Sequence, residues 1–361
     1  MKLTDVARLR LMNQQIVGTK FSSAKKLVEW MGAAQAQDFN MAKWAVGLRL
    51  QSSTEISVEK EFNEGKIIRT HILRPTWHFV SADDVHWMLQ LTAPRVKASL
   101  KSRHKNLEVN EKLLSKTNSL IEKKLSKQKY ATREELADEF MKANIKPDNN
   151  RLSHFMLCAE LDGIICSGIL NGNKQTYTLF HKRVSLNKSF DKKKALAALA
   201  TKYFLSHAPA TLQDFIWWSG LTVAEAKRAV ALIKKDCIEE IIINQQIYFM
   251  PVNFSVPKNI KTSVFLLPAF DEFIISYKDR TATISSEHHQ KAITRGGMFC
   301  PVIIIDGQAT GTWKRAIKKD MVKIETNFFR KHNQAELELI EKAADRFAFF
   351  LNKKPEVKFI E

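Results

Sequence analysis

The sequence predicts an α+β fold: tandem units of helix, helix and β-hairpin, followed by a C-terminal β-barrel or small sheet domain. Three observations predict it. Thr132 with Glu135 and Thr222 with Glu225 have the spacing of capping boxes, each opening a helix. Turn residues Asn171-Gly172-Asn173 and Asn244-Gln245 then separate paired strand-like runs. Beyond Pro257 the helical spacing gives way to runs such as PVIIIDG and GTWKRAI. Helix, helix, hairpin is the order of a winged helix, and the chain gives it more than once.

The elements follow in order. Apolar spacing predicts helices near 5–14, 23–31, 40–50 and 56–63, then a hairpin from KIIRTHIL and TWHFV that Pro75 interrupts. In the middle segment, helix 133–143 precedes helix 151–161, which carries Leu152, Phe155, Met156 and Ala159 on one side. Gly163 ends that helix, and IICSGIL and KQTYTLF form the hairpin. Downstream come helix 191–206, Pro209, a short helix 212–218, Gly220, helix 223–235, and strands IEEIII and IYFM. SVFLLPAFDEFIISY reads as strand-rich, and a helix over 334–352 precedes a last strand, VKFI. The expected division is 1–95, 96–185, 186–257 and 258–361.

Charge narrows the function. The 361 residues carry 57 Lys and Arg against 38 Asp and Glu, a net charge of +19, so the expected partner is a polyanion. The charge is concentrated: between Arg95 and Lys129 eleven basic residues face three acidic ones. A solvated helical surface explains most such runs. A membrane is a weaker partner, because no helix combines a basic face with a clean aromatic one. No secretory signal or 18-residue apolar run is visible, which predicts a soluble, cytoplasmic protein. Cys158, Cys166, Cys237 and Cys300 lie far apart with no zinc spacing, so they read as buried thiols; neither metal nor cofactor is implied. Adjacent side chains diverge, so His288-His289 reads as surface. The P-loop, GxSxG, HExxH and Rossmann signatures are absent.

One motif is unusual. In Ala33-Ala34-Gln35-Ala36-Gln37-Asp38 two glutamines stand among small side chains near the expected end of a helix. Taken alone, a glutamine there more often caps the helix or is solvated. Longer stretches give it meaning: AAQAQD at 33–38, RTHILRPTWHFV at 69–80, PATLQDFIWWSGLTVAEAKRAV at 209–230, and LLPAFDEFIISYKDR at 266–280 followed by GGMFCPVIIIDGQATGTWKR at 296–315. In their order and separation the chain resembles the winged-helix DNA glycosylases of the AlkZ and YcaQ type over nearly its whole length. The resemblance implies three tandem winged helices around a basic concave surface plus a C-terminal β-barrel. Gln35 and Gln37 match the family's catalytic Gln-x-Gln or Gln-x-Asp pair, and the second glutamine places the chain nearer the AlkZ branch.

The implied reaction is hydrolysis of the N-glycosidic bond of purines alkylated at N7 or N3, and it could extend to unhooking interstrand crosslinks. Such a base is cationic and already a good leaving group, so a neutral amide that orients water towards C1′ suffices. With no lysine in the motif, the product is an abasic site without Schiff-base strand cleavage. The expected partner is duplex DNA, bound by a monomer. Arg69, Arg74, Thr76, Trp77 and His78 lie on the hairpin of the same unit and are DNA-contact candidates; Arg74 could hold phosphate, and Trp77 could stack on a base or pack in the core. Lys227, Arg228, Lys234 and Lys235 follow a helix-turn-helix turn and could meet phosphates. Trp313, Lys314 and Arg315 are further DNA candidates. Asp271, Glu272, Asp279 and Arg280 read as paired structural charges. The alternative is a non-catalytic winged-helix regulator, although no dimerisation heptads are evident.

Overall fold

A computed structural model describes residues 1–186, 189–234, 236–252, 254 and 262–360. Lys235 and the expected boundary at 257/258 lie outside the described residues. The fold is mixed α+β.

The first segment contains α1 (Leu3–Asn13), α2 (Ala24–Met31), β1 (Ala34–Gln35), α3 (Phe39–Leu48), α4 (Glu55–Asn63), β2 (Ile67–Ile72) and β3 (Arg74–Ser81). Its sheet has the order β1-β3-β2, antiparallel throughout. After α5 (Val85–Asn106), the pattern recurs in α6 (Glu111–Lys127), β4 (Ala131–Thr132), α7 (Arg133–Lys142), α8 (Asn149–Leu161), β5 (Ile165–Ser167) and β6 (Thr176–Leu179), with sheet order β4-β6-β5. It recurs again in α9 (Lys192–His207), α10 (Leu212–Ser219), α11 (Val223–Ile233), β7 (Ile238–Ile243) and β8 (Gln246–Pro251), where Ala210 bridges to Phe249 on β8. Each time a short extended piece ahead of the last two helices pairs with the second hairpin strand. Two residues show no alternation, so the sequence pattern could not reveal that piece.

Local chemistry explains the helix starts. Both expected capping boxes form: the Thr132 and Thr222 hydroxyls accept from the N–H of Glu135 and Glu225, whose carboxylates accept in return. Gly220 ends α10 in the left-handed region at φ 68°, where a Cβ would also come within 2.4 Å of the Leu73 carbonyl. Only glycine lets this turn approach the β2–β3 turn so closely.

The C-terminal segment holds β9 (Val264–Leu267), α12 (Glu272–Ile275), α13 (His289–Ala292), β10 (Val302–Ile305), β11 (Gln308–Ile317), β12 (Met321–Phe328), α14 (Gln334–Phe350) and β13 (Lys354–Ile360). The expected barrel does not close. The five strands form an open sheet in the order β13-β12-β11-β10-β9, whose two edges do not meet. Strand β13 runs parallel to β12, so α14 must cross over between them, and it packs back against β9 and β13. The stretch read as strand-rich, 263–277, also breaks in two: the Asp271 carboxylate accepts from Phe273 N and turns the chain from β9 into α12.

The sheet shares one core with the first segment. Leu27, Trp44, Phe62 and Phe79 join Leu266, Ile303, Trp313 and Phe347 in a single apolar cluster. Trp44 donates from Nε1 to Leu266 O at 2.8 Å and packs edge-on against Phe347. Truncating a tryptophan so placed costs about 3–5 kcal/mol. No helix among the described residues is long and apolar enough to cross a membrane.

Candidate active site

The Gln-x-Gln motif is not at a helix end as expected. Helix α2 stops at Gly32, at φ 77°, and Gln35 lies on strand β1, with Gln37 in the link to α3. Their exposure differs: Gln35 is 4% exposed, whereas Gln37 is open to solvent.

Three elements fix this segment. Gln35 pairs with His78 across the sheet, and Ala36 N donates to Trp77 O at 2.7 Å. Arg69 on β2 donates from Nε to Ala36 O at 2.9 Å, from Nη2 to Gln37 O at 3.4 Å, and from Nη1 to Gln175 Oε1 at 2.5 Å. It is 8% exposed. The expected DNA contact at Arg69 is therefore corrected, because its guanidinium is turned inward to hold the motif's carbonyls. From the C-terminal segment, Glu272 Oε1 accepts from Gln35 N at 2.5 Å.

Glu272 is buried and also accepts from Trp218 Nε1 at 3.2 Å and from the Ser276 hydroxyl, with His207 Nε2 at 3.6 Å. Burial pushes its carboxyl up, but hydrogen bonding from His207 and from the Ser276 hydroxyl outweighs this. The result is a pKa lowered to about 2, an anion at neutral pH. Asp271 beside it takes a two-pronged bond from Arg49 at 2.7 and 2.9 Å. The expectation of structural charges holds for both residues. That Glu272 touches the glutamine motif left no signal in the sequence, since 237 residues separate the partners.

Alternation puts Arg74, Thr76 and His78 on one face of β3, beside Gln35. Arg74 Nη2 donates to Gln35 Oε1 at 3.3 Å. His78 is fully buried, with Nδ1 at 3.0 Å from Thr76 O. A carbonyl can only accept, so Nδ1 carries the proton and Nε2 is a bare acceptor. Burial first, then the charge of Arg74, lowers this imidazole to about 3 and keeps it neutral. Among the described residues, His78 Nε2, Thr76 Oγ1 and Arg74 Nε are all buried without a partner, a concentration of unused hydrogen-bonding capacity next to the motif.

Trp77 faces the other way. Its ring lies between His71 at 4.3 Å and Arg69 at 4.4 Å, and its Nε1 donates to Glu160 Oε1 at 3.4 Å. Glu160 on α8 also accepts from His71 N at 2.8 Å, with His71 Nδ1 at 2.5 Å. Packing is therefore what occupies Trp77.

The remaining candidates divide. Arg315 on β11 comes within 3.8 Å of Asp38, the N-cap of α3, and so joins the motif's neighbourhood. Lys314 is exposed beside it on the same strand, opposite Glu325. Trp313 is corrected to a core residue: it is 1% exposed and donates to Leu267 O. Lys227 and Arg228 are exposed on α11, away from the contacts that hold the motif, while Lys234 pairs with Glu240 at 2.9 Å. Of the cysteines, Cys158 and Cys166 are buried, whereas Cys237 and Cys300 are half-buried.

A basic chain of repeated helix-helix-hairpin segments, with two amides held at a strand end, has the features of a DNA glycosylase. The chain belongs to the AlkZ-like DNA glycosylase family, whose model matches residues 28–350. It is 21% identical over 328 residues to an interstrand DNA cross-link repair glycosylase of Streptomyces sahachiroi, covering 84% of this chain and 85% of that protein. Its fold is that of the Streptomyces sahachiroi DNA glycosylase AlkZ, with a TM-score of 0.82, 20% identity and full coverage of both chains.

Proposed function

We propose that this protein is a monofunctional DNA glycosylase that hydrolyses the C1′–N9 bond of purines alkylated at N7 or N3 and unhooks interstrand crosslinks joined through such positions. The observation that carries the reading is the Ala34-Gln35-Ala36-Gln37 segment, held by carbonyl and N–H contacts from Arg69 and Glu272 while the Gln37 amide is open to solvent. An alkylated purine leaves with the bond electrons as a neutral base. The Gln37 carbonyl accepts a hydrogen bond from the attacking water and aims its oxygen at C1′, and the water's proton passes to solvent. Gln35, behind it, adds a second amide, to whose oxygen Arg74 donates. With no lysine in the segment, the abasic product is released without strand cleavage.

In this reading the three repeated units are winged helices that follow duplex DNA, as a monomer, with their basic residues arranged along a concave surface. The division at 1–95, 96–185, 186–257 and 258–361 is part of the proposal, as are contacts of Lys227, Arg228 and Lys314 with phosphates and a cytoplasmic, nucleoid-associated location. Family membership favours this reading over a non-catalytic regulator. Incubating the protein with a duplex carrying 7-methylguanine and measuring free base tests it: release dependent on Gln37 is expected, and intact substrate at saturating enzyme would refute it.

A further inference from the structure

Trp217 on α10 is half-buried, and its Nε1 donates to Ile275 O at 2.8 Å. Three cations surround its ring: Lys278 Nζ at 4.9 Å, Arg280 at 5.3 Å and Arg74 at 5.6 Å from the centroid. They converge from β3 and from the chain after α12, and among the described residues none of the three has a carboxylate within 4.0 Å. The expectation that Arg280 is a paired charge is thereby corrected. Asp279 accepts from Thr281, and Asp214 takes Arg10 together with the N–H groups of Lys278 and Asp279.

A ring face attracts a cation, but it does not neutralise three of them. Arg280 registers the crowding: burial and the nearby Arg74 lower it to about 10 even though Asp214 pulls the other way. Among the described residues, Arg74 Nε and Arg280 Nη2 are buried and unpartnered, while Arg280 Nε and Nη1 donate to Ile274 O and Lys278 O. Unneutralised, hydrogen-bond-deficient guanidiniums call for an oxyanion. A cationic purine would be repelled by them, so the group they receive is not the damaged base.

We infer that Arg74, Lys278 and Arg280, gathered on Trp217, form a binding site for one DNA backbone phosphate flanking the damaged nucleotide. This rests on the glycosylase reading for the identity of its ligand. Arg74 links the site to the motif, since its Nη2 also reaches Gln35 Oε1. A phosphate that draws Arg74 towards Trp217 competes for that donor and frees the Gln35 oxygen for water. Occupying the phosphate site and uncovering the amide are then one event, which favours hydrolysis on properly seated DNA.

The test uses the full chain and a duplex with an abasic-site analogue, so that binding needs no excision. Single methylphosphonates, which remove one charge, replace in turn the two phosphates on each side of the analogue. One placement is expected to weaken wild-type binding and to cost Lys278→Gln less, because two of the three cations remain, and Lys278→Gln should flatten the slope of log affinity against log salt by at most about 0.9. Lys278 is exposed, so this variant folds; a matching melting temperature checks that. If every placement costs wild type and Lys278→Gln alike, the site is overturned. A failure of the glycosylase reading looks different: no base release from alkylated DNA while this coupling persists.

Discussion

The backbone N–H of Gln35 donates to the buried carboxylate of Glu272 at 2.5 Å, so the α12 turn of the C-terminal segment holds the strand that carries the glutamine motif. Glu272→Ala would leave Gln35 N, Trp218 Nε1 and Ser276 Oγ without their acceptor and His207 without its carboxylate. Losing one partner of a buried charged network costs about 3–5 kcal/mol. Denaturant titration should show that loss, with Glu272→Gln less affected because it keeps an accepting oxygen. Equal stability of all three proteins would contradict the role given to this residue.

Arg49 and Asp271 make a similar prediction with a built-in control. Arg49 is 2% exposed, and its two bonds to Asp271 lie in the interior. Arg49→Met strands a buried carboxylate and should destabilise by about 3–5 kcal/mol. Adding Asp271→Asn removes the stranded charge and should recover part of the loss; a double variant no better than additive would argue against direct coupling.

Arg69 separates holding from DNA contact. Its guanidinium is spent on Ala36 O, Gln37 O and Gln175. Arg69→Lys keeps a charge but not the fork, so the motif loosens and base release should slow by about 10- to 100-fold. The salt dependence of DNA binding should stay at the wild-type value. A flatter slope in Arg69→Lys or Arg69→Met would mean that Arg69 meets phosphate after all.

Acid should weaken the fold from the neutral range downward. His78 is lowered to about 3 in the folded protein, so between that value and the ordinary imidazole pKa near 6.5 the unfolded chain binds the extra proton. Stability is therefore fully present above about pH 6.5 and is lost, by up to about 1.4 kcal/mol per pH unit for this group, as pH falls towards 3. His207, also lowered by burial, acts in the same direction, and Glu272 adds a further loss between its ordinary value near 4.5 and about 2. Urea titrations at pH 7, 6 and 5 should show a shallower decline for His78→Phe than for wild type; parallel declines would exclude His78 as a contributor.

Much of the fold was legible because it is written locally. Thr132 with Glu135 and Thr222 with Glu225 started helices where expected, and Asn244-Gln245 turned the β7–β8 hairpin with both residues at positive φ. Short or non-local features were not legible. Strand β1 is two residues long and shows no period, so Gln35 was assigned to a helix end. The sheet is open because β13, reached through the α14 crossover, joins β12 in parallel and does not pair with β9, an arrangement strand patterns alone do not encode. In the site, the family resemblance singled out Gln35 and Gln37, and the shared hairpin added Arg74 and His78, but neither showed that Arg69 turns inward. Glu272, Glu160 and Trp217 come to the motif's surroundings from other segments, and only tertiary packing brings them there. The two glutamines also differ in a way their symmetric spacing hid, one buried and one exposed.

Single-turnover release of 7-methylguanine from a duplex, by wild type and by Gln37→Ala, tests the central claim most directly. Gln37 is exposed, so the variant should fold and bind DNA as wild type does, while its release rate drops by about 100-fold or more. Equal release by the two proteins at equal DNA occupancy would contradict the account.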